Sequence, residues 1–162
     1  MPVFATAGSK VYIGTALESG TGELTVDDFD DIVWTSIGNL ETIGAVGDTS
    51  NSVDGTFIDR ARVVRMKGAR DGGTMELVAG LSYTDAGQLA LIAAEKSPHE
   101  FAFKVEFNDK PATGASPKNS TRMFVALVMS ASEQLDGADN LMKLNASLAI
   151  NSNVIRTNAS AT

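Results

Sequence analysis

Leu141-Met142-Lys143-Leu144-Asn145-Ala146-Ser147-Leu148-Ala149-Ile150-Asn151-Ser152 alternates residue by residue. Met142, Leu144, Ala146, Leu148 and Ile150 have one parity, while Lys143, Asn145, Ser147 and Asn151 share the other with Leu141 and Ala149. A β-strand turns successive side chains to opposite faces, so this segment predicts a long strand buried on one side only. The other face carries small, mostly uncharged polar groups in place of bulky ones. On an isolated domain such a face meets water. Repeated around a ring, it lines a wet channel that does not hold its cargo.

The neighbouring segments extend this reading. Residues 121–134 are apolar on both parities from Met123 to Met129 and polar only at the end, and Asp136-Gly137 turns them into the final strand. A long closing hairpin is therefore expected. Phe101, Phe103, Val105 and Phe107 alternate with Lys104 and Glu106, which predicts a strand over residues 100–107. Ahead of it lies the one convincing helix. Thr84 or Asp85 caps it, Gln88 follows Asp85 by three residues as in a capping box, and Ser97-Pro98 stops it. Leu89, Ile92 and Ala93 make a single apolar stripe, so this helix, about residues 85–96, is expected on the outside of a sheet.

Towards the N-terminus, residues 10–16 alternate as a first strand. Residues 18–31 are turn-rich and contain the run Asp27-Asp28-Phe29-Asp30-Asp31. Residues 33–46 read as an extended segment bent at Gly38 and Gly44, followed by a polar loop at 47–55. Residues 56–66 resume the strand pattern, and the Asp71-Gly72 turn pairs them with residues 74–83 as an antiparallel hairpin. No internal repeat or linker divides the chain. A single domain over residues 1–162 is expected, with terminal arms at 1–9 and 157–162.

A chain of 162 residues with 43% apolar content buries a real core. It contains no cysteine, which removes disulfides, thiolate nucleophiles and sulfur metal sites together. The first ten residues lack the basic start and apolar run of a signal peptide, and no apolar stretch approaches the roughly 20 residues that span a membrane. The net charge of −7 is unevenly placed. Residues 1–55 hold nine acids against Lys10 alone and sum to −8, while the remainder sums to +1. Such asymmetry fits an acidic surface that meets something less acidic, often another copy of the chain. An acidic solvated loop that keeps the protein soluble is the plainer alternative.

Enzymatic chemistry finds little support. The only histidine, His99, follows Pro98 in the turn after the helix, where a histidine is usually a surface residue. No serine elbow, phosphate-binding glycine loop or dinucleotide fingerprint occurs. Asp27, Asp28, Asp30 and Asp31 offer carboxylates to a hard cation, but no glycine stands at the sixth position of an EF-hand loop and no glutamate closes it. Neither a metal nor a cofactor is expected. Arg60, Arg62, Arg65, Lys67 and Arg70 form the one basic cluster, with Arg60 and Arg62 on the same side of a predicted strand. The acidic balance and the lack of an aromatic stacking row oppose nucleic-acid binding. A match of this cluster to the acidic first third is more economical. Asp27, Asp28, Phe29, Asp30 and Asp31 on one side, and Arg60, Arg62 and Arg65 on the other, are thus the candidate contacts between copies.

The order of elements is strands, an acidic loop, a bent strand, a hairpin, one helix, a Phe-rich strand and a long closing hairpin. With Phe4-Ala5-Thr6-Ala7-Gly8-Ser9-Lys10-Val11-Tyr12-Ile13-Gly14, Trp34-Thr35-Ser36-Ile37-Gly38-Asn39-Leu40-Glu41 and Leu81-Ser82-Tyr83-Thr84-Asp85-Ala86-Gly87-Gln88, it resembles the major tail (tail tube) proteins of long-tailed bacteriophages. The resemblance spans nearly the whole chain through general pattern. It implies a mainly β fold, a β-sandwich or small barrel with one flanking helix and long loops. It further implies hexameric rings stacked into a hollow tube through which the genome passes, in a virion tail made in the bacterial host cytoplasm. The implied partners are other copies, the tape measure, tail terminator and baseplate proteins, and genomic DNA in transit; no catalytic residues come with it.

The residues fit a conduit on physical grounds. A channel for DNA must not bind it, since each phosphate contact releases counterions and holds the strand. Six copies at −7 carry about −42 per ring, a repulsive field wherever part of it faces inward. Lys143, Asn145, Ser147 and Asn151 are the expected lumen-facing residues, and an inward Lys143 needs a nearby carboxylate. Two alternatives stand beside this reading. One is the tube subunit of a contractile tail or type VI secretion apparatus; the other, a monomeric β-sandwich binding or decoration module, wants exposed aromatics, and Trp34 is the only tryptophan.

Overall fold

The computed structural model describes residues 2–162; Met1, the first residue of the expected N-terminal arm, lies outside them. The first half of the chain runs β1 (Lys10–Ala16), a 3-10 turn (Val26–Phe29), β2 (Thr35–Ser36), β3 (Leu40–Ile43), β4 (Thr49–Gly55), β5 (Val64–Asp71) and β6 (Thr74–Gly80). Then come helix α1 (Ala86–Lys96), β7 (Phe101–Glu106), β8 (Thr121–Gln134), β9 (Lys143–Ile150) and β10 (Ile155–Thr157). The main sheet is antiparallel in the order β2-β1-β7-β8-β9-β6-β3, with β10 added to β8. It does not close into a barrel, so the mainly β fold is a sandwich with one flanking helix.

Two cores explain the pattern of apolar residues. The main one lies inside the curled sheet, where Val11 and Ile13 from β1, Phe103 from β7, Phe124 from β8 and Leu148 from β9 pack against Leu91 and Ala94 of the helix. The Phe103 and Phe124 rings stack at 5.9 Å. The second lies on the outer face of β7 and β8, where Ala102, Met123 and Val125 are covered by Phe29, Ile32 and Trp34 from the acidic loop. The first half of β8 is thus buried on both faces, which is why its sequence is apolar on both parities.

β8 then changes character at a bulge. Val128 pairs with Leu148 but Ser130 pairs with Ser147, so Met129 is the extra residue and the side-chain parity flips. Beyond it Ser130, Ser132 and Gln134 stand opposite Ser147, Asn145 and Lys143. The final strand is shorter than the alternation implied. Leu141 and Met142 precede β9 and are 77% and 50% exposed, although the Met142 carbonyl already accepts from the Leu81 N–H at 3.0 Å.

Three segments depart from the sequence reading. The expected bend at residues 33–46 is a crossover: β2 pairs with β1 at one edge of the sheet, and β3 pairs with β6 at the other. Residues 47–55 are strand β4 instead of a loop, and β5 pairs with β4 instead of with β6. These two strands form a separate exposed ribbon, with residues 56–63 as its tip, so Arg60 and Arg62 sit in a connection and not on one side of a strand. β6 has both edges occupied, by β9 and β3, and has no room for β5. The end of the chain is not a free arm: Thr157 pairs with Thr121, and Ser160 bridges to Lys118.

Helix α1 starts where expected. Asp85 caps it, its Oδ2 accepting from the Gln88 N–H at 2.9 Å and from the Gly38 N–H at 3.1 Å. Its buried stripe is shifted: Gln88, Leu91 and Ala94 face inward, while Leu89 is 47% exposed. Gln88 does not close a capping box. Its Nε2 donates to the carbonyls of Gly38 (3.1 Å) and Gly80 (2.8 Å), and its Oε1 accepts from the Ser82 N–H (2.9 Å). One fully buried amide therefore ties the helix to both the crossover and the end of β6. Gly87 permits this approach, since a Cβ there would sit 2.6 Å from the Ile37 Cα.

Candidate functional site: a polar sheet face and two free edges

The second half of β8 with β9, β6 and β3 is covered on its inner face only. Leu144, Ala146, Leu148 and Ile150 of β9 are buried, and so are Met75, Leu77 and Ala79 of β6. Their alternates form the open face: Lys143, Asn145, Ser147 and Ala149 on β9, Thr74, Glu76, Val78 and Gly80 on β6, and Ser130, Ser132 and Gln134 on β8. This arises from period-two patterning in three strands held in register.

The polar groups of the face pair across strands. Lys143 Nζ donates to Glu41 Oε1 at 3.0 Å, Asn145 Nδ2 to Gln134 Oε1 at 2.9 Å, and Ser147 Oγ to Glu76 Oε1 at 2.9 Å. The carboxylate that an inward Lys143 needs is thus Glu41, on the bulged part of β3. Donors satisfied in this way are less available to a passing anion, and the two carboxylates outnumber the single ammonium. Asn151 is not part of the group. It lies past the end of β9, and its Nδ2 donates to Glu100 Oε1 at 2.8 Å. Sequence reasoning missed Glu41, Glu76, Gln134, Ser130 and Ser132. Glu76 was legible from the alternation in β6, but the β8 serines needed the bulge, which no residue type announces.

The face ends at two strand edges without partners among the described residues. One is the outer side of β3, the last strand of the sheet. The other is the side of β8 beyond Ala126, where β7 no longer reaches. Strands usually avoid such edges or shield them.

The candidate contacts between copies fall in two separate places. Asp27, Asp28, Asp30 and Asp31 are exposed around the 3-10 turn, but Phe29 between them is 3% exposed and stacks on Trp34 at 6.3 Å. Phe29 is therefore a core residue of its own subunit and is withdrawn as a contact. The acidic loop is held by its own chain. Thr25 N–H donates to Asp28 Oδ2 at 2.7 Å, and Asn153 both donates to and accepts from the Leu24 backbone at 3.0 and 2.8 Å. Arg60, Arg62 and Arg65 are exposed on the ribbon, with Arg60 over the Phe57 ring and Arg65 3.7 Å from Asp54. Among the described residues no ion pair joins the four aspartates to these arginines within one chain.

Elsewhere the ionisable groups serve the fold. Lys104 lies over the rings of Tyr12 (4.5 Å) and Trp34 (4.9 Å), and burial lowers its pKa against the opposing pull of Glu106. Partial burial pushes the Glu100 carboxyl up, but hydrogen bonds from Asn151 and the Ser19 N–H outweigh it and hold the pKa below the ordinary value. His99 is exposed, with its Nδ1 3.4 Å from Glu18 Oε1. Among the described residues no group of acids and histidines is arranged to hold a metal ion, and no helix is long and apolar enough to cross a membrane.

No protein-family model and no curated protein matches the chain. Solved structures do. A chain of the SPP1 tail tube is similar over 97% of this chain and 80% of that one, with a TM-score of 0.63 and 17% identity. A chain of the sheath/tube terminator of the extracellular contractile injection system PVC gives a TM-score of 0.66 at 11% identity, over 97% and 98% of the two chains. A chain of the PVC sheath-tube complex gives 0.61 at 12% identity, over 97% and 92%. At such identities the similarity concerns architecture: the chain has the tail-tube fold.

Proposed function

We propose that this protein is a structural tail-tube subunit that joins edge to edge into hexameric rings, and that the rings stack into a hollow tube through which DNA passes. The observation that carries this reading is the polar face bounded by two free edges. Pairing β3 of one copy with the far half of β8 of the next satisfies both edges and continues the face from subunit to subunit. Four strands from each of six copies make a closed sheet of about 24 strands. At a spacing of about 4.8 Å, its circumference is about 115 Å and its backbone diameter about 37 Å, widened further by strand tilt. Small side chains leave room inside for a DNA duplex.

In this arrangement Lys143, Asn145 and Ser147 face the lumen, together with Glu41, Glu76 and Gln134. The paired donors and the excess of carboxylates let phosphates slide past. The exposed aspartates around the 3-10 turn and the arginines of the ribbon lie between subunits, where charge steers docking more than it supplies affinity. The tube ends meet terminator and baseplate proteins, and a tape measure protein occupies the lumen before DNA. Nothing in this role calls for catalysis. Negative-stain electron microscopy of the concentrated protein tests it: hollow tubes of stacked rings are expected, and a population of separate monomers at every concentration would overturn the reading.

A further inference from the structure

Strands β8 and β10 set two like charges side by side. Their antiparallel register puts Arg156 directly opposite Arg122, between the pairs Ile155–Met123 and Thr157–Thr121. Residues directly opposite share a sheet face, and like charges so placed repel. Elsewhere the chain gives its cations a carboxylate: Lys143 has Glu41, Arg65 has Asp54 and Arg70 has Asp48. Among the described residues neither Arg122 nor Arg156 makes an ion pair. The carboxylates in reach are engaged. Asp48 is taken by Arg70 at 2.7 Å, and Asp109 accepts from the Ser120 N–H and Oγ at 2.7 and 2.6 Å.

The two guanidiniums differ in how firmly they are held. Arg122 is partly buried and fixed, 4.8 Å above the Phe107 ring. Its Nη1 donates to the carbonyls of Thr121 and Thr157 at 2.8 and 3.1 Å, and its Nη2 to Asn158 Oδ1 at 3.4 Å. Of the five N–H donors of a guanidinium, this leaves the one on Nε and one on Nη2. Arg156 is exposed and makes no hydrogen bond among the described residues. Its tip lies beside the backbone of Gly47, where an added Cβ would stand 3.5 Å from the Arg156 Nη2. Partial burial lowers the Arg122 pKa, and the charge of Arg156 lowers it further against the opposing pull of Asp109. Two cations with free donors therefore share one face, and the chain places no anion between them.

We propose that Arg122 and Arg156 bind a phosphate dianion from solution, held between the two guanidiniums. A guanidinium presents paired N–H donors that match phosphate oxygens, and one dianion cancels both charges. Arg122 is the preformed half of the site, since its ring contact and carbonyl bonds already fix it. Arg156 has no competing partner and closes onto the anion from the opposite strand. The site is separate from the polar face. Arg122 and Ser130 lie at the two ends of the stretch of β8 that crosses the sheet, about 26 Å apart along the strand. Two arginines at one spot hold a single phosphate and offer nothing to the next phosphates of a nucleic-acid strand, so the free anion is the ligand.

Calorimetric titration of the full chain with inorganic phosphate, at an ionic strength held constant with sodium chloride, tests this. Saturable binding of one phosphate per chain is expected. Loss of the charge-assisted bonds in Arg156→Gln should weaken it about tenfold or more. Lys96→Gln removes an exposed cation on the helix and should bind as the wild type does. Urea midpoints supply a second signature. In chloride alone, Arg156→Gln should be at least as stable as the wild type, because the repulsion is relieved. In saturating phosphate the order should reverse, since only the wild type gains from the ligand. Heat that never saturates, or binding that Lys96→Gln weakens as much as Arg156→Gln, is general screening and overturns the site. An Arg156→Gln midpoint below that of the wild type in chloride makes Arg156 a structural residue and overturns it too. A short DNA duplex separates the two sources of phosphate. It should bind the wild type no better than Arg156→Gln; duplex binding tighter than that of free phosphate and lost in the variant would assign the pair to nucleic acid and contradict the proposal.

Discussion

Lys143 shows how the one cation of the polar face is paired within its own subunit. Its ammonium is neutralised by Glu41 at 3.0 Å, with the two side chains 29% and 52% exposed. An exposed pair of this kind is worth about 0–1 kcal/mol, so its loss should barely change stability. Its effect on binding should be larger. Glu41→Gln frees the cation and removes a negative charge in every copy, so assembled tubes of the variant should retain a short DNA duplex in low salt and release it as salt rises, whereas wild-type tubes retain little. Equal retention would mean that Lys143 does not face the DNA path. A buried neighbour behaves in the opposite way. Leu148 is fully buried, and Leu148→Ala should cost about 2–5 kcal/mol in a urea titration. Glu100 adds a pH dependence. Its depressed pKa means that its bonds to Ser19 and Asn151 contribute stability above the ordinary 4.5, and that this is lost as pH falls through the lower folded value. The stability gap between wild type and Glu100→Gln should therefore narrow below about pH 4.5, measured as denaturation midpoints across acid pH.

At the scale of elements, helix α1 hangs on Gln88 as much as on Leu91. Gln88→Leu is close in size, but it leaves the Gly38 and Gly80 carbonyls and the Ser82 N–H without partners. Each unpaired buried group costs about 1–3 kcal/mol, so a loss of at least about 3 kcal/mol is expected in urea, with the helix region first to gain hydrogen-exchange lability. The sequence made the helix legible through Asp85 and Ser97-Pro98, but not the role of Gln88: periodicity treats glutamine as polar and hence outward. Strands with at least one dry face were read well. β1 and β8 run over the expected residues, and β9 differs only at its ends. The ribbon was misread for the converse reason. Thr49–Gly55 buries almost nothing, so no alternation marks it, and Asp71-Gly72 looks like a hairpin turn although it hands the chain from the ribbon to the main sheet. On the polar face, Lys143, Asn145 and Ser147 were legible from parity alone. Glu41 and Gln134 were not, because pairing across strands depends on a register that a bulge sets. Phe29 was placed outside for want of knowing that its own loop folds back over Ala102 and Val125.

At the scale of the whole molecule, charge and edges argue for one outcome. In the proposed assembly the exposed aspartates around the 3-10 turn and the ribbon arginines are the local charges that steer one copy onto the next. Changing Asp27, Asp28, Asp30 and Asp31 together to lysine should leave a folded monomer, because these side chains are exposed, and should slow or abolish polymerisation followed by light scattering. Added salt should slow the wild type as well, since steering is screened beyond about 10 Å at 0.1 M. Tube formation by the quadruple variant at the wild-type rate would reduce the acidic loop to a solubility feature. The central claim, that the face built on β9 lines an enclosed channel, has its most direct test in thiol labelling of assembled Asn145→Cys. The account predicts that a small maleimide labels assembled tubes while the same maleimide on a large polymer does not, although both label the dissociated subunit. Equal labelling of assembled tubes by the two reagents would place this face on the outside and contradict the account.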